Sequence, residues 1–139
     1  MQKFVYTLSI VLLLSSPVFA PNSFAAFPDE DSVVSKNFKQ VGRALRGMRS
    51  AETAEDVAKI LKKVKKFSSK NRDLIPTIMV EGTPQVGEYQ KGMDEFLAQV
   101  DKALALAEAG DKDGATAIVK KFRDIKKGAH DHFNVEWRK

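Results

Sequence analysis

The chain is predicted to be all-α, an antiparallel up-down-up-down four-helix bundle, on three observations. Apolar residues recur in steps of three and four along four separate stretches. The breaks between those stretches carry glycine, proline and helix-capping residues. No stretch alternates β-branched and polar residues as a half-buried strand would.

The first helix is expected near residues 31–49, with its stripe at Val34, Phe38, Val41, Leu45 and Met48. The run SAET breaks it. Thr53 then offers an N-cap, with Asp56 three residues on, close to a capping box. The second helix, near 54–74, places Val57, Ile60, Leu61, Val64 and Phe67 on one face and stops before Pro76, which disfavours helix in the residue ahead of it. PTIMVEGTPQVG, with two prolines and two glycines, is a loop. The third helix, near 86–109, carries Val86, Tyr89, Met93, Phe96, Val100, Leu104 and Ala107, and Gly110 ends it. Asp111 caps a fourth helix near 112–137, striped by Ile118, Phe122, Ile125, Ala129 and Phe133. Short connections make consecutive helices antiparallel. The start of helix 1, the loop between helices 2 and 3 and the end of helix 4 then share one end of the bundle, which brings the HDH segment beside the region of Phe38.

At 139 residues the chain is a single domain preceded by a leader. MQKFVYTLSIVLLLSSPVFAPNSFAA has one early cation, Lys3, an apolar run from Phe4 to Leu14 too short to span a bilayer, and then small and polar residues. A cut after Ala25, with Ser23 two residues before it, is preferred to one after Ala20, which would leave Pro21 first. Residues 1–25 are thus a cleaved signal and residues 26–139 the bundle, with the charge falling from +5 to +4 as Lys3 is lost. An exported chain with no cysteine has no disulfide and no thiolate metal site, and points to a bacterial periplasm with no stable membrane anchor after cleavage.

The chemistry-bearing residues cluster at the C-terminus. His130 and His132 are two apart on a helix, about 200° around it, so they cannot chelate one ion together. His132 and Glu136 can approach one another, but two ligands make a weak site. The basic run KILKKVKKFSSKNR sets lysines between the apolar positions of helix 2, as a solvated face does. An exported protein meets little nucleic acid, and the run suits an acidic partner better. There is no Gly-rich phosphate loop, no Gly-x-Ser-x-Gly elbow and no His-Glu-x-x-His, so the chain is not read as an enzyme. What remains is one usable imidazole at the open end of a bundle. Bundle cores hold cofactors between facing helices, and imidazole is a standard axial haem ligand.

MDEFLAQVDKALALAEAGDKDGATAIVKKFRDIKKGAHDHF resembles the cytochrome b562 family in its aliphatic spacing, the glycine between helices 3 and 4 and the histidine near the C-terminus. SAETAEDVAKIL and Pro76 extend the resemblance over essentially the whole chain after the leader. It implies a periplasmic four-helix bundle that holds one non-covalent haem b between a helix 1 methionine and a helix 4 histidine and exchanges electrons with a redox partner that the sequence does not name. Carried over by position, His130 is the histidine ligand of the iron, and Lys126 stands where the family has an arginine able to meet a haem propionate. Val34, Val41, Val64, Tyr89, Met93 and Phe96 resemble residues lining the haem. The methionine position is Phe38, whose ring has no lone pair for iron. Met48 lies ten residues on, about 15 Å along the helix. Met93 is at pocket level, so a rearranged Met93–His130 pair stays open. Two readings follow. Either haem b binds with His130 as its single protein ligand, at a lowered potential and with room for a small gas, or the bundle is a haem-free binding or interaction module with Phe38 as core.

Overall fold

The computed structural model describes residues 31–133. Helix α1 spans Val33–Arg46 and tightens into a 3₁₀ turn over Gly47–Ser50; α2 spans Ala54–Arg72, α3 Pro84–Glu108 and α4 Lys112–His132. Local chemistry sets each boundary. The Ser32 hydroxyl accepts the Ser35 amide at 3.1 Å to start α1. Thr53 and Asp56 form a complete capping box on α2, Asp56 N–H donating to Thr53 Oγ1 and Thr53 N–H to Asp56 Oδ2, each at 3.1 Å. α3 begins two residues before its first apolar position because Pro84 fits the first helical turn, where its missing N–H costs nothing. It ends in a Schellman motif: Asp111 N–H donates to Leu106 O and Gly110 N–H to Ala107 O, with Gly110 at φ 87°. Asp111 then caps α4 by accepting the Gly114 amide at 2.8 Å. A Cβ at position 114 would press on that carboxylate, which would have to shift to keep the cap.

Against the expected spans, α2 stops at Arg72, ahead of the turn residue Asp73, and α1 gives its last turn to the 3₁₀ segment. The leader, the proposed cut and the C-terminal residues from Asn134 onward, Glu136 included, lie outside the described residues. No described helix is long and apolar enough to cross a membrane.

Contacts between consecutive helices run in opposite sequence order. Asn37 of α1 meets Asn71 of α2, whereas Gly47 faces Ile60. Lys62, Lys65 and Arg72 of α2 pair with Glu108, Asp101 and Asp94 of α3. Phe96 of α3 stacks edge-on against Phe122 of α4 with centroids 4.9 Å apart, and Glu88 meets His132. Each helix is therefore antiparallel to the next. The central core is Val57, Leu61, Val64, Val100, Ala103 and Ala115, all at zero exposure. Close backbone packing joins α1 to α2, α2 to α3 and α3 to α4. Among the described residues α1 and α4 share no comparable seam.

Candidate functional site

Towards the end where α1 begins and α4 finishes, the interior turns polar. The buried stripe of α2 continues past Val64 through Ser68 and Asn71, both at zero exposure. Asn71 Nδ2 donates to the Val34 carbonyl at 3.0 Å and Asn37 Nδ2 donates to Asn71 Oδ1 at 2.8 Å. The Tyr89 hydroxyl donates to the Asn71 carbonyl at 2.8 Å, and burial raises its pKa, so it stays a donor. One layer thus ties α1, α2 and α3 together. Glu88, next to Tyr89, carries the layer on to α4 through a 2.9 Å contact with His132 Nε2. Ser68 Oγ has no hydrogen-bond partner among the described residues.

This layer fixes the flanks on which Phe38 and His130 lie. Successive residues on a helix are about 100° apart, so with Asn37 turned to α2, Phe38 falls on the flank away from α2. It is 38% exposed, unusually open for a phenylalanine on an apolar stripe. On α4, His132 is turned to Glu88 of α3, and His130, about 160° around from it the short way, lies on the flank away from α3. Phe38 and His130 therefore lie at the same end of the bundle, on the flanks of α1 and α4 turned away from α2 and α3, and α1 and α4 share no close packing among the described residues. The sequence expectation sets the HDH segment beside the region of Phe38, with a pocket lined from all four helices; the lack of close α1–α4 packing among the described residues is not part of it.

The environment of His130 favours the neutral imidazole. It is half-buried, and its pKa is held below the ordinary histidine value, first by desolvation and then by the positive charge of Lys126 one turn earlier, against a smaller opposing pull from Asp131. Its imidazole is therefore neutral at neutral pH, the form that carries a lone pair. Lys126 is exposed on the same flank. The other expected lining residues are interior: Val34 and Val41 are buried on α1, Val64 on α2, and Tyr89 and Met93 on α3, while Phe96 is half-buried against Phe122.

Two features at this end of the bundle stand outside the expected site. The first is the Asn37–Asn71–Tyr89 ladder, whose signal was the continuation of the α2 stripe by polar residues. The second is Met79, a half-buried thioether in the 73–83 loop at this same end, two residues before Glu81; its amide donates to the Pro76 carbonyl at 2.9 Å. The described residues contain no group of three or more His, Asp or Glu placed for a metal ion.

A family model described as Cytochrome b562 matches residues 33–134. The chain is 32% identical over 95 residues to an uncharacterized protein of Pasteurella multocida (strain Pm70), covering 68% of this chain and 73% of that one. It is 34% identical over 62 residues to a probable soluble cytochrome b562 of Yersinia pestis, covering 42% of this chain and 48% of the relative. The family comprises haem-binding bundles that act as electron carriers rather than enzymes. A match across α1 to α4, on the fold described above, places this chain in the cytochrome b562 family.

Proposed function

We propose that the chain is an exported, periplasmic haem b protein in which His130 would be the single protein ligand of the iron and Phe38, on α1, would offer it no donor atom. The observation that carries this reading is the imidazole of His130, kept neutral by burial and by Lys126, on the flank of α4 turned away from α3. The residues present fit haem on the α4 side: a neutral imidazole for iron, and an ammonium at Lys126 for an acidic edge group. On the α1 side the phenyl ring of Phe38 supplies apolar contact and no lone pair. Haem, when bound, supplies the one-electron chemistry. The polypeptide orients it, excludes water through the buried stripe of Val34, Val41 and Val64, and holds the bundle end rigid through the Asn37–Asn71–Tyr89 ladder. Without a thioether the potential falls below that of a methionine–histidine site, because such ligation raises it.

A second reading, a haem-free interaction module, draws on the packing of Tyr89 and Met93, at 8% and 6% exposure, which leaves them little surface to offer a cofactor. Titrating the purified protein with haem and following the Soret band separates the two. The proposal expects saturation at one haem per chain. Unsaturable, linear uptake supports the haem-free module instead.

A further inference from the structure

We propose that the face shared by α1 and α2 is a docking surface for an acidic protein, reached by protruding carboxylate side chains of that partner. The charge is divided very unevenly. Residues 33–72 contain twelve Lys and Arg against three Asp and Glu, a net of +9, whereas residues 73–133 contain eight against eleven, a net of −3. No acid stands between Val33 and Ala51, and none between Val57 and Arg72.

The two flanks of α2 use their cations differently. Towards α3, Lys62, Lys65 and Arg72 meet Glu108, Asp101 and Asp94 at 2.9, 2.7 and 2.9 Å. Those charges are satisfied within the fold. Lys63, Lys66 and Lys70 point outward or towards α1, and α1 brings Arg43 to the same groove rather than a carboxylate. Among the described residues none of these four cations has a carboxylate within ion-pair range. Gln40, Arg43, Ala44, Lys63 and Phe67 line a shallow cleft between the two helices. Its floor is apolar, Ala44 and half-buried Phe67, and the ammonium groups of Lys66 and Lys70 stand 5.9 and 5.7 Å from the Phe67 ring centroid.

Clustered like charge repels, and its field raises the local concentration and association rate of an oppositely charged partner. The shape of the cleft decides among polyanions. Phe67 is recessed between two helices, so it cannot insert into a lipid surface, but a side chain projecting from a folded partner can reach it. A slot with cationic rims and an apolar floor accepts an acidic side chain with its aliphatic stem, the usual combination of charge at the rim and apolar contact at the centre of an interface. The face lies on the flank of α1 opposite Phe38, so a partner docked there leaves the α1–α4 seam clear. The inference rests on the polypeptide's charges and not on haem, and it stands or falls separately from the proposed function.

The test is amide NMR of the purified protein titrated with a Glu-rich helical peptide, in parallel with phosphatidylglycerol–phosphatidylcholine vesicles and a single-stranded oligodeoxynucleotide. The expected result is saturable shifts confined to α1 and α2 and centred on Arg43, Ala44, Lys63 and Phe67, with the peptide binding more tightly than either competitor and weakening as salt rises. Arg43→Glu combined with Lys63→Glu should weaken peptide binding about tenfold, whereas Lys120→Glu combined with Lys121→Glu, the same charge change on exposed positions of α4, should weaken it by less than about threefold. Equal weakening by the two pairs would reduce the effect to net charge and overturn the proposal. So would shifts spread over α3 and α4, or preferential binding of the vesicles or the oligonucleotide.

Discussion

Replacing Asn71 by Ala probes the layer that positions the site. The side chain is at zero exposure, accepts from Asn37 Nδ2 at 2.8 Å and donates to the Val34 carbonyl at 3.0 Å. Truncation removes both bonds and strands the Asn37 amide, which is 8% exposed, without its acceptor. A buried polar group left unpaired costs about 1–3 kcal/mol and an ordinary hydrogen bond about 1 kcal/mol. The Val34 carbonyl remains within the α1 ladder, so most of the loss falls on Asn37, and the total is about 2–4 kcal/mol. Tyr89→Phe, which removes one bond to a backbone carbonyl, should cost only about 1 kcal/mol. Urea unfolding followed by far-ultraviolet circular dichroism on the haem-free protein measures both. A loss below about 0.5 kcal/mol for Asn71→Ala would show that the ladder does not hold α1 in place, and the orientation assigned to Phe38 would lose its support.

Three further outcomes are expected. Phe38→Met should convert the haem-loaded protein to a six-coordinate spectrum and raise its reduction potential in a redox titration; if Met79 or Met93 already supplies a thioether, the spectrum will not change on this substitution but will change on replacing that methionine by Ala. Ser68→Ala should leave stability unchanged or raise it by up to about 1 kcal/mol in the same urea assay, since it removes a buried hydroxyl with no partner and improves helix propensity. Because the His130 pKa is lowered on folding, the unfolded chain binds more protons than the folded one below the ordinary histidine value of 6.5, so stability should fall as pH drops through that region towards the folded value. His130→Ala should flatten that part of the profile, and an unchanged slope would place the titration elsewhere.

The helices were legible in the sequence because their determinants are local. Thr53 and Asp56 make the expected box, Gly110 takes the left-handed backbone that ends α3, and Asp111 caps α4, each through residues within a few positions of one another. Pro84 shifted the start of α3 because the sequence reading followed the apolar stripe, whereas proline at the first turn depends on backbone geometry. At the site, position and type parted company. Ser68 and Asn71 fall on the α2 stripe by spacing, yet their polarity hid them as interior residues; only partners 34 and 37 residues away, Asn37 and the Val34 carbonyl, make the Asn71 side chain tolerable there. The Glu88–His132 contact, 44 residues apart in sequence, was equally invisible; helix periodicity alone sets the two histidines on different flanks, and this contact identifies the flank that meets α3. The open α1–α4 seam follows from how all four helices pack, and no stretch of sequence encodes it alone.

Haem binding by His130 and not by its neighbour is the central claim, and a paired haem titration tests it most directly. His130→Ala and His132→Ala remove the same group from positions two residues apart, and they face opposite flanks of α4. Titrated by absorbance at neutral pH beside the unsubstituted protein, His132→Ala should keep saturable uptake at close to the original affinity, losing only its contact with Glu88. His130→Ala should show no saturable Soret band. Uptake by His130→Ala as tight as that of the unsubstituted protein would contradict the account.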